Sequence, residues 1–367
     1  MDCETSKNGW ILLMPLALCL VSSLAFGQGK RKVIVDQDAA GPGGSDMQAI
    51  LMAVQSPETE TLGITVVTGD QWLDEELAHT LRLLEIIGRR DIPVLAGAEF
   101  PLVRTRPQTL LWEKTYGSFS YMGAWTPQWY HPASVIPPMR EGVPTLKPST
   151  EDAAHFMIRM VHKYPHQVTI IGLGPMTNIA LAIRLDPHFA ELAQELVFMG
   201  GSLSPQTNDP EFSTNPRHEF NLWFDPEAAH IMLTAHWAKI TCTPVDISIK
   251  THFSHDLLRR IGQSQVPVAQ YLAKYDTIRD DFDYMWDELA VAAWLKPSLI
   301  TQDEKVYMDV DLDKGVGYGN TQTWDKTDKP AVDKRVVTVN LNLHANQFYD
   351  YFQRLMTNPT PGASPAQ

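Results

Sequence analysis

The chain has 367 residues, 44% of them hydrophobic, enough to bury the core of one large domain or two ordinary ones. Lys and Arg total 30 against 43 Asp and Glu, a net charge of -13, and no basic run is present to neutralise phosphates. Nucleic-acid binding is therefore not expected, while an acidic balance suits either a protein that holds a divalent cation or plain solubility.

In chain order, the first feature is ILLMPLALCLVSSLAF, Ile11 to Phe26, an apolar run too short and too interrupted for a spanning helix. It ends in Ala25-Phe26-Gly27, small residues at the spacing a signal peptidase reads. Lys7 is the only positive charge before it, opposed by Asp2 and Glu4, and a buried N-terminal helix is the alternative reading. The run predicts a signal over residues 1–27, export to the periplasm or the medium, a mature chain from about Gln28, and no membrane partner after cleavage. Cys3 and Cys19 would leave with the signal. Cys242, in the apolar stretch AKITCTPVDI, then stands alone and reads as core, so no internal disulfide is expected.

KVIVDQD (Lys32 to Asp38) reads as a short strand, and Ser45 opens a helix with Met47, Ile50, Leu51 and Val54 at helical spacing. LGITVV (Leu62 to Val67) is a second strand. A helix follows from about Leu73, with Leu77, Leu81, Leu84 and Ile87 on one stripe and Gly88 as its stop. IPVLAG, VTIIGLG, ELVFMGG and KITCTPVDI read as further buried strands, with helices between most of them. The alternation predicts an α/β fold, a mostly parallel, doubly wound sheet with flanking helices. From about Phe100 to Ser149 the rhythm stops: the stretch is rich in Pro, Trp and Tyr, lacks periodicity and reads as one long functional loop. VYMDVDLDKGVGYG and RVVTVNLNL are predicted to be strands added at a sheet edge. The account is a single domain over 28–356 and a Pro-rich disordered tail over 357–367.

The strongest chemical signal is VDQDAAGPGGSDM, Val35 to Met47. A buried strand ends in Asp36 and Asp38, passes a Gly-rich turn and enters a helix at Ser45-Asp46, placing carboxylates where open α/β sheets bind ligands. Carboxylates converging there repel one another unless a cation sits among them. The dinucleotide fingerprint fails because Asp46 stands where a third Gly is needed, and the Gly-Lys-Ser/Thr of a P-loop is absent. A plain helix cap at Ser45 or Asp46 would leave the strand-end Asp pair unexplained. An Asp-x-Asp phosphohydrolase is the open alternative, although its downstream Lys and acidic pair find no convincing place. Three later segments add to the pattern: LGPMTNIALAI (Leu173 to Ile183), the stretch Phe198 to Ala229 with Glu219-Phe220-Asn221, and MWDELAVAAW with Asp287 at a helix start. His218, beside Glu219, is expected to be exposed.

Taken in this order, Asp36-x-Asp38…Ser45-Asp46, LGPMTNIA, FMGG, EFN-x-x-x-DPEAA and WDELA resemble the inosine–uridine nucleoside hydrolase family, over about Lys32 to Met356. The resemblance implies a calcium-dependent hydrolase that splits a nucleoside into base and ribose and forms a homo-oligomer, a dimer or tetramer. It implies that Asp38 is the general base and also ligates Ca2+, that Asp46 and Asp287 are further carboxylate ligands, and that Leu173 offers its backbone carbonyl. Glu219 and Asn221 match residues that hydrogen-bond the ribose hydroxyls, Met199 and Phe220 line the same pocket, and Asp36 supports the ligands from behind.

The chain also departs from the family. Ser45 stands where an Asp usually grips the ribose, and the turn before it is longer by about two residues. That substitution keeps open a protein that binds a ribosyl ligand without turnover. Asn215, with Asn208 as the alternative, stands for the Asn upstream of Glu-Phe-Asn. Trp286 replaces the His that many members use as leaving-group acid, as in the purine-preferring branch, or else is ordinary core.

Overall fold

The computed structural model describes residues 1, 29–213, 215, 217–278, 283–328, 330 and 334–364. The expected signal, Met1 apart, and its cleavage point lie outside the described residues. From the N-terminus run β1 (Arg31–Gln37), α1 (Ser45–Gln55), β2 (Thr59–Val66), α2 (Leu73–Ile86), β3 (Val94–Ala96), α3 (Arg106–Tyr116) and α4 (Ala153–Lys163). The middle supplies β4 (Val168–Gly172), α5 (Thr177–Leu185), α6 (Phe189–Leu192), β5 (Glu195–Met199), α7 (Pro210–Ser213), α8 (Phe220–Phe224) and α9 (Pro226–Thr234). The rest comprises β6 (Ile240–Thr243), α10 (Val245–Ser248), α11 (His255–Ile261), α12 (Pro267–Tyr275), α13 (Trp286–Leu295), β7 (Ile300–Val310), β8 (Thr321–Asp325), β9 (Val336–Leu343) and α14 (Ala345–Thr357).

Among the described residues nine strands form one sheet, in the order β3-β2-β1-β4-β5-β6-β9-β7-β8. The pairs from β3 to β9 in that order are parallel, and β7 runs antiparallel to both β9 and β8. The chain winds outward from β1 to β3, then restarts at β4 on the other side of β1. A crevice opens where such a reversal occurs, at the carboxyl ends of β1 and β4.

Strand side chains alternate between two cores. Val33 and Val35 join Met47 of α1, Leu289 of α13 and Phe352 of α14, whereas Ile34 joins Met157 of α4 and Ile179 of α5. Both faces are buried, so β1 reads as a continuous apolar run rather than an alternating one. The same alternation sends the next two residues to opposite sides, Asp36 toward α5 and Gln37 toward α1 and α13.

Three expectations change. RVVTVNLNL does not lie at an edge: β9 inserts between β6 and β7, with Val337 and Val339 fully buried, and β8 is the edge. The stretch 100–149 is not all loop, because α3 starts at Thr105, whose side chain accepts from the Gln108 amide, and ends at Gly117. Only Thr109 of α3 is buried, so there is no apolar stripe for periodicity to reveal. The aromatic content of this stretch forms a third cluster, in which Met122 and Trp125 pack with Phe220, Trp223 and Phe224. Finally, Thr357 belongs to α14, and residues 358–364 lie against the end of α2: Ser364 N donates to the Gly88 carbonyl (2.9 Å) and Arg89 to that of Pro361 (3.0 Å). Among the described residues no helix is long and apolar enough to cross a membrane.

Candidate active site

Asp38 follows β1 directly, and Asp46 and Asp287 stand in the first turns of α1 and α13, which pack on each other. The Gln37 amide ties the two helices together, donating to Asp46 Oδ1 (2.7 Å) and to Asp287 Oδ2 (2.8 Å). Ser45 adds a second tie, donating to Glu288 Oε2 (2.6 Å) and accepting from the Asp287 amide (3.1 Å). The Asp38 carboxylate sits in a slot between two glycines. A Cβ on Gly69 would lie 2.1 Å from Asp38 Oδ2 and one on Gly174 would lie 2.5 Å from Oδ1, so neither position admits a side chain without moving the carboxylate. The Asp70 amide donates to Asp38 Oδ2 (3.1 Å).

These residues line a cavity of about 680 Å³, within the range of small-molecule sites. Of the sequence-predicted residues, Asp38, Ser45, Asp46, Leu173, Met199, Glu219, Phe220, Asn221, Trp286 and Asp287 all reach it. Glu219 is the N-cap of α8: Oε1 accepts from Asn221 N (2.7 Å), and Oε2 accepts from Gly201 N (2.8 Å) and Leu222 N (3.0 Å). Asn221 Nδ2 donates to the Leu173 carbonyl (2.7 Å), the very oxygen the resemblance assigns to the metal. Trp286 is half-buried and serves both packing and wall: its ring lies 5.7 Å from Phe212 and 5.0 Å from Tyr284, and all three face the cavity. From the long loop come Tyr121, Trp129, His131 and Arg140.

Two sequence-predicted residues are not brought in. Asn215 pairs with Asn320, each amide nitrogen 3.4 Å from the other's oxygen, and its own segment presents Asp209, Glu211 and Phe212 to the cavity instead. Asp36 faces α5, accepting from Thr65 Oγ1 (2.6 Å) and Asn178 Nδ2 (2.8 Å); only its backbone supports the site, through Leu173 N to Asp36 O (2.8 Å). The support expected from Asp36 is supplied by Gln37, and a polar residue inside a strand buried on both faces was the signal for it. His218 is buried, not exposed, with Phe119 of the loop stacked over it at 5.0 Å. Neither ring nitrogen has a partner among the described residues, and burial together with Arg104 pushes its pKa down to about 3. Cys242 lies in the core as read, its Sγ 3.1 Å from the Gly200 carbonyl.

Burial, followed by the repulsion of Asp70, holds Asp38 and Asp46 well above the usual carboxylate range, with Asp46 adding to the effect on Asp38 and Asp287 to that on Asp46. Burial pushes Asp287 up to about 7, and burial with Asp70 raises Tyr121. Three carboxylates and a carbonyl are the donor set of a hard divalent cation, whose charge would relieve that repulsion. In the arrangement described, Asp46 and Asp287 are hydrogen-bonded to each other and to Gln37, and among the described residues no three Asp, Glu, His or Cys side chains stand in metal-holding geometry. By the chemistry of its donors the site fits such an ion. Asp70, Tyr121, Glu211, Asp276 and Glu288 are site residues that sequence reasoning missed.

The chain matches the model of the inosine-uridine preferring nucleoside hydrolase family over residues 33–350. It is 32% identical to uridine nucleosidase 1 of Arabidopsis thaliana over 284 residues, covering 75% of this chain and 77% of that one. It is 28% identical to probable uridine nucleosidase 2 of the same plant over 333 residues, covering 86% and 95%. Among solved structures, a plant nucleoside hydrolase superposes with a TM-score of 0.69 at 24% identity, covering 90% of this chain and 99% of that one. With the strand-end carboxylates and the ordered motifs, these matches establish that the chain belongs to the inosine-uridine preferring nucleoside hydrolase family.

Proposed function

We propose that this enzyme hydrolyses the N-glycosidic bond of ribonucleosides, purine nucleosides in preference, with Asp38 as general base beside a calcium ion held by Asp38, Asp46, Asp287 and the Leu173 carbonyl. The observation that carries the reading is the meeting of three buried carboxylates at the switch point of the sheet, in a cavity of nucleoside size. Calcium is favoured because it accepts irregular, all-oxygen protein ligands, whereas magnesium demands a near-ideal octahedron. Bound, it would supply positive charge that acidifies a water and fixes the ribose diol. Asp38, held rigidly by Gly69 and Gly174, takes a proton from the water that attacks C1′. Glu219 and Asn221 orient the sugar hydroxyls from the N-terminus of α8, with Met199 and Phe220 beside them. The base lies against Trp286, whose face is wider than a pyrimidine needs.

Purine preference rests on that aromatic wall of Phe212, Tyr284 and Trp286. Stacking gains about 0.5–1.5 kcal/mol per aromatic pair, and about 1.4 kcal/mol is a decade in rate. The ratio of kcat/KM for inosine to that for uridine is therefore expected to be about tenfold, and to collapse in Trp286→Ala. Equal losses on both substrates would give Trp286 a packing role, and a wild type that prefers uridine would end the purine reading. A panel of inosine, adenosine and uridine also separates turnover from binding alone. We infer export from the apolar run Ile11 to Phe26 and Ala25-Phe26-Gly27. N-terminal sequencing of the native protein should begin near Gln28, and an intact Met1 would contradict it.

A further inference from the structure

A purine leaving as an anion needs a proton, and Trp286 in the aromatic wall cannot give one, because an indole N–H is a very weak acid. The titratable groups of the cavity wall include His131 and Glu211. His131 has both ring nitrogens engaged, Nε2 at 3.1 Å from Glu75 Oε2 and Nδ1 at 3.0 Å from the Pro132 carbonyl. Glu211 does not share this limit. It precedes Phe212 on α7, the residue whose ring packs 5.7 Å from Trp286, so it stands beside the aromatic wall. Its backbone amide is pinned by Asp209 Oδ1 (2.9 Å), and its carboxyl has no hydrogen-bond partner among the described residues.

We propose that Glu211 is the proton donor to the departing base, an inference that rests on the hydrolase reading above. The Glu211 O–H proton passes to a ring nitrogen of the base as the C1′–N bond breaks and its electron pair moves into the ring. Water supplies the new C1′–O bond and loses its proton to Asp38. Solvent then takes the proton from Asp38 and returns one to Glu211, so the net reaction consumes one water and no other reagent. The groups facing Glu211 agree with this role: burial first, then Asp209, Glu219 and Asp70, push its pKa up to about 8, so the carboxyl still carries its proton at neutral pH. Stacking on Trp286 works with it, since a base made more basic is more readily protonated.

The test compares inosine with 4-nitrophenyl riboside, whose leaving group departs as a stable anion and needs no proton. Glu211→Gln is expected to lower kcat on inosine by about 10²–10³-fold, the ordinary contribution of a general acid, and to leave the activated riboside nearly unchanged. The wild type is expected to lose kcat on inosine above pH of about 8, with no such limb on the activated riboside and none in the variant. Equal loss on both substrates, or no loss on inosine, would overturn the role of Glu211. If Glu211→Gln fails to fold, the wild-type profiles decide alone: the same alkaline limb on both substrates would overturn it. A wild type inert toward both ribosides would instead strike the hydrolase reading and take this inference with it.

Discussion

Gln37 shows how one neutral side chain can govern a charged site. Its single amide nitrogen reaches two carboxylates that repel each other, orienting both without adding charge. Gln37→Leu is expected to weaken divalent-cation binding by about 10–100-fold, as loss of an orienting partner does; titration calorimetry checks this, and unchanged affinity would contradict it. Asp276 gives a pH-dependent counterpart. It accepts from Gly44 N (3.0 Å) and Gln48 Nε2 (2.9 Å), yet burial pushes its pKa up to about 6. A raised carboxyl pKa means that the folded state binds more protons than the unfolded one between about pH 4 and 6. Stability from this group is therefore full below pH 4 and declines as pH rises through 6. Relative to Asp276→Asn, the wild type should lose about 3 kcal/mol between pH 4 and 7, measured by denaturant unfolding with chelator present. A difference that does not move with pH would show that Asp276 is not held protonated. The places of Asp38, Asp46 and Asp287 in the cavity wall were legible because strand-end and helix-start positions are marked by motif. Glu211 and Asp70 were not, since nothing local to a residue says that a distant element aims it at a cavity. The burial of His218 and the pairing of Asn215 escaped the sequence for the same reason, as Phe119 and Asn320 approach them from far along the chain.

The turn after β4 is as constrained as the one after β1. Gly174 leaves room for Asp38, and the Leu173 carbonyl accepts from Asn221 while its amide pairs with Asp36. Gly174→Ala is expected to keep the circular dichroism of the wild type and to lower kcat by about a hundredfold, the cost of shifting a catalytic group by about 1 Å; full activity would mean that Asp38 relaxes freely. Strands and helices of the parallel core were readable from pattern, because β1, β4 and β5 are short apolar runs bounded by turns. The sequence position of β9 suggested an edge, but a last strand can insert wherever a parallel neighbour waits, and β6 supplied one. Helix α3 was invisible because Thr109 alone of its residues is buried, so its face carries no apolar signal.

Across the molecule, the sheet reversal between β1 and β4 collects acidic groups from the N-terminal, middle and C-terminal parts of one chain. A cation that binds them only in the folded state must stabilise the whole fold. At a hundred times its dissociation constant calcium should add about 2.7 kcal/mol, which raises Tm by roughly 4 °C in a chain of this size. Scanning calorimetry with and without chelator checks this, and the shift should vanish in Asp287→Ala; an equal shift in that variant would place the ion elsewhere. The most direct measurement follows free base and ribose released from inosine by chelator-treated protein as calcium is added back, in the wild type and in Asp38→Asn. The wild type should release the two products in equal amounts, only with calcium restored, and Asp38→Asn should fall by about a thousandfold or more. Release that needs no divalent cation, or full activity in Asp38→Asn, would contradict the account.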